Sequence, residues 1–216
     1  MIPVFKPNIH SMKQIHPYRT TDEALTSLDN GGRFYNIFTR EEDGTISQAE
    51  LAKVVGLFNE KQKLILFLDL SISQLDTQSR ESVISKLDDQ LQITYKKYKP
   101  IEKTPAEVNE IGTKSSNIIV TGIPEMKESK SYFSGMILVP VGKAFVPIPI
   151  SDMYTVYEIK DGQSSEMILI AHAKGSEKLP EKRIKVGGVL KEVKPKKNEK
   201  VVVEQFLEVN YFLELV

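Results

Sequence analysis

Between Lys174 and Lys200 ten basic residues stand against four acidic ones, in a chain whose 29 Lys and Arg exactly balance 29 Asp and Glu. Cations at that density are suited to contacting phosphate, because each phosphate they neutralise releases counterions. The candidate contacts are Lys182, Arg183 and Lys185 on one predicted strand, and Lys194, Lys196 and Lys197 in a turn beyond it. Strand alternation puts Arg183 and Lys185 on one face, with Ile184 and Val186 opposite. Bases would then have to stack on Tyr154, Tyr157 or Phe206. The competing reading is a solvated hairpin tip and a strand edge protected by lysine. That second reading is preferred, so no tight oligonucleotide binding is expected at physiological salt.

Other reactive groups are sparse. The chain has no cysteine, which excludes disulfides, thiolate zinc sites and a cysteine nucleophile. Its three histidines are His10 and His16, in a proline-flanked arm, and His172, at the end of an apolar strand. No carboxylate pattern accompanies them, so they are expected at the surface or as capping groups. The pairs Asp88-Asp89 and Glu41-Glu42 are sequence neighbours that would not point at one substrate from regular structure. The sequence contains no G-x-S-x-G, P-loop, dinucleotide-binding glycine pattern or H-E-x-x-H. An enzyme would need a dispersed site, and no catalytic residue is assigned. A net charge of zero also argues against a globally basic nucleic-acid binder.

Oxygen-bearing side chains recur at Thr39, Glu41, Asp43, Thr45 and Glu50, with Gly44 and Ile46 between them. That segment resembles the loop of an EF-hand, in which a glycine makes the sharp turn and a final glutamate binds calcium through both oxygens. The resemblance implies a calcium ion held by those five residues. Thr39 departs from the usual first aspartate, and Glu41 is longer than usual at its place. Ser47 and Glu50 also have the spacing of a capping box, with Ile46 and Leu51 placed as a hydrophobic staple. A cap and a turn are therefore expected here, empty of calcium at micromolar concentration.

The elements that must position these residues change character near Pro100. Three prolines fall in the first 17 residues, none between Tyr18 and Lys99, and eight from Pro100 onward. Interior proline costs a helix about 3 kcal/mol, so helices belong in the proline-free stretch. Their predicted starts are Thr21, Ser47, Asn59 and Asp76, and Leu91, Tyr95 and Tyr98 mark a further amphipathic segment. Strands are predicted at Ile118–Val120, Tyr132–Val141, Ala144–Ile150, Met153–Ile159, Met167–Ala171, Ile184–Val193 and Val201–Leu215.

Within residues 132–216, a hairpin turning at Lys160-Asp161-Gly162 is followed by a loop through Pro180. A strand reading Lys182-Arg-Ile-Lys-Val-Gly-Gly-Val-Leu190 comes next. The arrangement resembles an OB-fold, with Gly187-Gly188 bending the strand at a barrel corner. Membership would imply oligonucleotide, oligosaccharide or protein binding on the face of the second and third strands.

The expected fold is α+β. A helical domain with an extended N-terminal arm spans 1–100, a linker 101–116, and an antiparallel OB-like β-barrel domain 117–216. The expected function is a non-catalytic binding or adaptor protein, most readily for a protein partner, acting through the β domain. The alternatives are a single-stranded nucleic-acid-binding module, a calcium-responsive module and an enzyme with a dispersed site. Met1-Ile-Pro-Val-Phe-Lys-Pro lacks the pattern of a secretion signal, and the apolar run Leu64–Leu68 is far shorter than a membrane span. A cytoplasmic location without a membrane partner is expected.

Overall fold

The computed structural model describes residues 11–31, 42–108, 116–128, 136–141, 144–162, 166–192 and 205–215. The chain divides into two units, Ile15–Ile101 and a second formed by Met1–Gln14 with Glu102–Val216. The division falls at the start of the expected linker. The linker itself is structured at its beginning: strand β2 (Ile101–Lys103) is followed by the short helix α6 (Pro105–Val108), whose Val108 is buried.

The first unit is helical: α1 (Thr21–Leu28), α2 (Gln48–Val55), α3 (Lys61–Ser71), α4 (Thr77–Ser85) and α5 (Asp89–Tyr98). Four of the helices open on a side-chain cap, from Thr20, Ser47, Asp76 and Asp88, each satisfying an amide that the helix leaves without a partner. Asp88 thus has a structural task, accepting the Leu91 N–H at 2.6 Å. Leu28, Ile46, Leu51, Leu64, Leu68 and Leu91 are fully buried between the helices. Asp69 on α3 joins three of them: it accepts the Tyr95 hydroxyl of α5 at 2.9 Å and lies 3.5 Å from the Arg80 guanidinium of α4.

Ser47 and Glu50 form the complete capping box, and Ile46 also pairs with the α4–α5 junction through Lys86 and Asp88. Ser47→Ala is expected to cost about 1 kcal/mol, read as a lowered midpoint in chemical denaturation. An unchanged midpoint would show that the cap contributes nothing.

The second unit is built on β1 (Lys13–Gln14), β3 (Asn117–Lys127), β6 (Tyr154–Lys160), β7 (Met167–Ala173), β8 (Ile184–Glu192) and β9 (Gln205–Glu214), with β2 beside β3. A separate hairpin, β4 (Met136–Val141) with β5 (Ala144–Pro149), and the short helix α7 (Ile150–Met153) lie between β3 and β6. The arm assigned from sequence to the helical region instead joins this unit: Lys13 and Gln14 pair in parallel with Tyr211 and Phe212 of β9, and Met12 enters the β-unit core.

Five strands close into a ring in the order β3–β6–β7–β9–β8 and back to β3. All neighbours run antiparallel except β7 and β9, which are parallel. Closure depends on β3 changing partners. Asn117–Gly122 pair with β8 and Ile123–Lys127 with β6. Gly122 sits at the change, where a β-carbon would lie 2.3 Å from the Lys160 carbonyl oxygen. Gly188 is equally tight against the Glu208 carbonyl oxygen at 2.3 Å, beside a β-bulge at Gly187/Gly188. The register of the strand thus shifts at the glycine pair where a bend was expected.

Gly187 faces Tyr211 while Gly188 faces Val209, so Asn210 is the extra residue of the bulge. It shifts the inward phase of β9 from Leu207 and Val209 to Phe212. These pack inside the ring with Ile118, Val120, Tyr157, Ile159, Ile168, Ile170, Ile184 and Val186. Among the described residues no helix is long and apolar enough to cross a membrane.

Candidate functional site

Because Tyr157, Ile159, Ile168 and Ile170 point inward, alternation sends Tyr154, Val156 and Glu158 of β6 and Leu169, Ala171 and Ala173 of β7 to the outer face. Glu208 of β9 is in register with Ala171. The alanines leave room above β7, and the Tyr154 hydroxyl crosses that strand to donate to Glu208 Oε1 at 2.6 Å. Lys191 Nζ holds the other carboxylate oxygen at 2.5 Å, and Phe206 meets the Tyr154 ring edge-on at 5.6 Å. Burial, and then the Glu208 charge, push the Tyr154 phenol well above its usual 10. It therefore keeps its proton and acts as an anchor.

Toward β3 the same face carries a ladder of paired charges. Lys127 lies between Glu125 at 2.5 Å and Glu158 at 3.4 Å, and Lys160 approaches Glu125 at 3.5 Å. Hydrogen bonding to Lys127 holds the Glu125 carboxyl below its usual range, and the same contact raises Lys127. Beyond the ladder, Ile123, Lys160 and Met167 form one row across three strands. Ile123 is 45% and Met167 43% exposed.

The basic residues singled out from sequence have separate partners. Lys182 pairs with Glu214 at 2.5 Å, Lys185 with Glu102 at 2.7 Å, and Arg183 donates to the Asp161 carbonyl at 3.0 Å. Lys185 does lie opposite inward Ile184 and Val186, as alternation requires. Its partner and those of its neighbours sit on β2, on β9 and after β6. Lys194, Lys196 and Lys197 lie outside the described residues. The expected stacking rings are closed off: Tyr154, Tyr157 and Phe206 are each at most 2% exposed. Sequence proximity supplied no signal for Glu102, Glu208 or Glu214, because each lies far along the chain from its lysine.

Of the EF-hand-like set, Thr39 and Glu41 lie outside the described residues. Asp43 accepts the Thr45 amide at 2.9 Å, closing the turn. Glu50 is buried and accepts the Ser47 amide at 2.7 Å, the Ser47 hydroxyl at 2.8 Å and the Gly31 amide at 3.0 Å. Asp29, not singled out from sequence, binds the Gly44 amide at 2.7 Å and the Asp43 amide at 3.3 Å. Lys53 places its ammonium 2.9 Å from the Asn30 and Gly31 carbonyls. The carboxylates of Asp43 and Glu50 thus serve backbone amides and the Ser47 hydroxyl. Among the described residues no three His, Cys, Asp or Glu side chains are grouped to hold a metal.

His16 is exposed, as expected, and His10 lies outside the described residues. His172 corrects the expectation of a surface histidine, being 1% exposed. Its position two residues after Ile170 on the inward face carried that signal.

No protein-family model matches the sequence, and comparison with curated proteins finds no match. Among solved structures, the chain is similar to a crystal structure of a protein named as an aspartyl-tRNA synthetase from Leishmania major Friedlin. The TM-score is 0.30 at 10% identity, over 58% of this chain. The match spans 26% of that protein's own length.

Proposed function

We propose that this chain is a non-catalytic binding protein whose β unit is an OB-like barrel that recognises a protein partner. Support for the barrel type comes from the ring order and from β7 with β9 being the one parallel pairing within the ring of five described strands. In folds of this type ligands are taken on the face of the second and third strands of the ring and by the adjoining loops, here β6 and β7. The observation that carries the partner class is the exposed row Ile123–Lys160–Met167 at the end of that face, bordered by paired charges. Apolar residues with methionine, rimmed by charge, suit a protein interface. Paired lysines and enclosed aromatic rings favour nucleic acid much less.

The test compares the full chain with Ile123→Glu/Met167→Glu, both outward-facing changes. The wild type is expected to retain a protein partner that the variant loses at an unchanged melting temperature. Anisotropy titration of single-stranded oligonucleotides is expected to show no tight binding at physiological salt. Sub-micromolar affinity that falls steeply with salt would replace this reading with the nucleic-acid one.

A further inference from the structure

We propose that His172 is a pH-sensitive latch that holds the segment between β7 and β8, residues 174–183, against the closed ring of strands. The His172 Nδ1 lies 3.0 Å from the Ala173 carbonyl oxygen. A carbonyl only accepts, so Nδ1 carries the hydrogen and Nε2 of the neutral ring is an acceptor. The Tyr157 hydroxyl, 3.3 Å away, donates to Nε2. The same hydroxyl oxygen accepts the Leu179 amide at 3.3 Å. Every polar atom in this relay then has a partner of the opposite kind.

A second proton on His172 breaks the relay. Nε2 becomes a second donor competing with the Leu179 amide for the same hydroxyl oxygen, and the hydroxyl hydrogen loses its acceptor. Leu179 is 3% exposed within the β-unit core, so its amide has no water to turn to. The segment is also tied to the N-terminal arm, since Ser176 Oγ accepts the Met12 amide at 2.9 Å. Release of Leu179 would therefore loosen the arm at β1 as well.

Among the described residues no acidic side chain is hydrogen-bonded to the His172 ring. Its neighbour directly across β6 is uncharged Thr155, and the diagonal one is Tyr157, with ring centroids 5.4 Å apart. Glu181 acts on the Tyr157 phenol, which it helps to raise. On α6, which packs against β7, the Glu107 carboxylate is held by Lys103 and Thr104. Glu208 projects from the outer face of β9. Burial accordingly lowers the His172 pKa from 6.5, partly offset by the Ala173 carbonyl. In the unfolded or released state the ring takes its proton near pH 6.5, while in the latched state it resists to lower pH. The latch is thus fully effective above that pH and is lost as pH falls through the latched value.

Amide hydrogen exchange at pH 7.5 and pH 5, corrected for intrinsic rates, tests this. Protection of Leu179 and its neighbours, and of Lys13 and Gln14, is expected to fall by about tenfold for each unit by which the pKa is lowered. The ring strands β6 and β7 should keep theirs. His172→Gln, which retains an acceptor for Tyr157 but cannot ionise in this range, is expected to remove the pH dependence. Nitrogen chemical shifts of His172 in the unmodified protein provide a readout that needs no variant, and the Nδ1–H tautomer is expected at neutral pH. The Nε2–H tautomer, equal Leu179 protection at both pH values, or a loss spread evenly over the whole ring would overturn the proposal.

Discussion

Gly188→Ala is expected to destabilise the β unit by roughly 3 kcal/mol, the upper end of the ordinary overpacking range. The added carbon would sit 2.3 Å from the Glu208 carbonyl oxygen and 2.8 Å from the carbonyl carbon. Both are backbone atoms of a strand paired to β8 across the bulge, so neither retreats by rotating a side chain. The whole ladder must shift. Gly122→Ala is expected to cost a similar amount, because Lys160 O and C lie at 2.3 and 2.9 Å from the new carbon. It strikes the residue where β3 passes from β8 to β6, which is where the ring closes. Denaturant midpoints measure both. Variants as stable as wild type would mean that these strands do not approach so closely.

Tyr154→Ala is expected to cost about 4 kcal/mol, as large aromatic truncations in a core do. Tyr154 is among the largest fully buried side chains, and its ring packs against Phe206. Tyr154→Phe isolates the hydrogen bond. It keeps the packing and leaves Glu208 Oε1 without its phenol donor, for a loss of about 1–3 kcal/mol. Lys191 still holds Oε2, which limits the damage. Thermal denaturation of the two variants should rank alanine well below phenylalanine. Equal losses would mean that packing contributes nothing beyond the hydroxyl, which the edge-on Phe206 contact argues against.

Much of the local structure was legible before any fold was known. Ser47 with Glu50 and Asp76 with Ser79 are contacts across three residues, so the chain dictates them wherever it goes. The cap at Asp88 is of the same kind but was not read from the sequence. The strands now seen at Tyr154–Lys160, Met167–Ala173 and Ile184–Glu192 announced themselves by alternation and by the turn at Lys160-Asp161-Gly162. The orientation of Lys185 against Ile184 and Val186 followed from the same period of two.

What the sequence left open were the features that depend on distant pairing. Simple alternation along β9 fails at Asn210, because a bulge is a property of two strands and not of one. The chain past Val120 reads poorly as strand until Gly122 is seen to pass between two partners. Lys182, Lys185 and Lys191 look like a patch of positive charge in one dimension. In three dimensions Glu214, Glu102 and Glu208 stand beside them. His172 looked like a strand-end histidine until the ring enclosed it and set Tyr157 against its Nε2. The sequence by itself determined the caps, turns and strand faces, since these arise from contacts a few residues apart. Ring closure, charge pairing and the burial of His172 were decided by tertiary structure, because each needs groups that only strand pairing brings together.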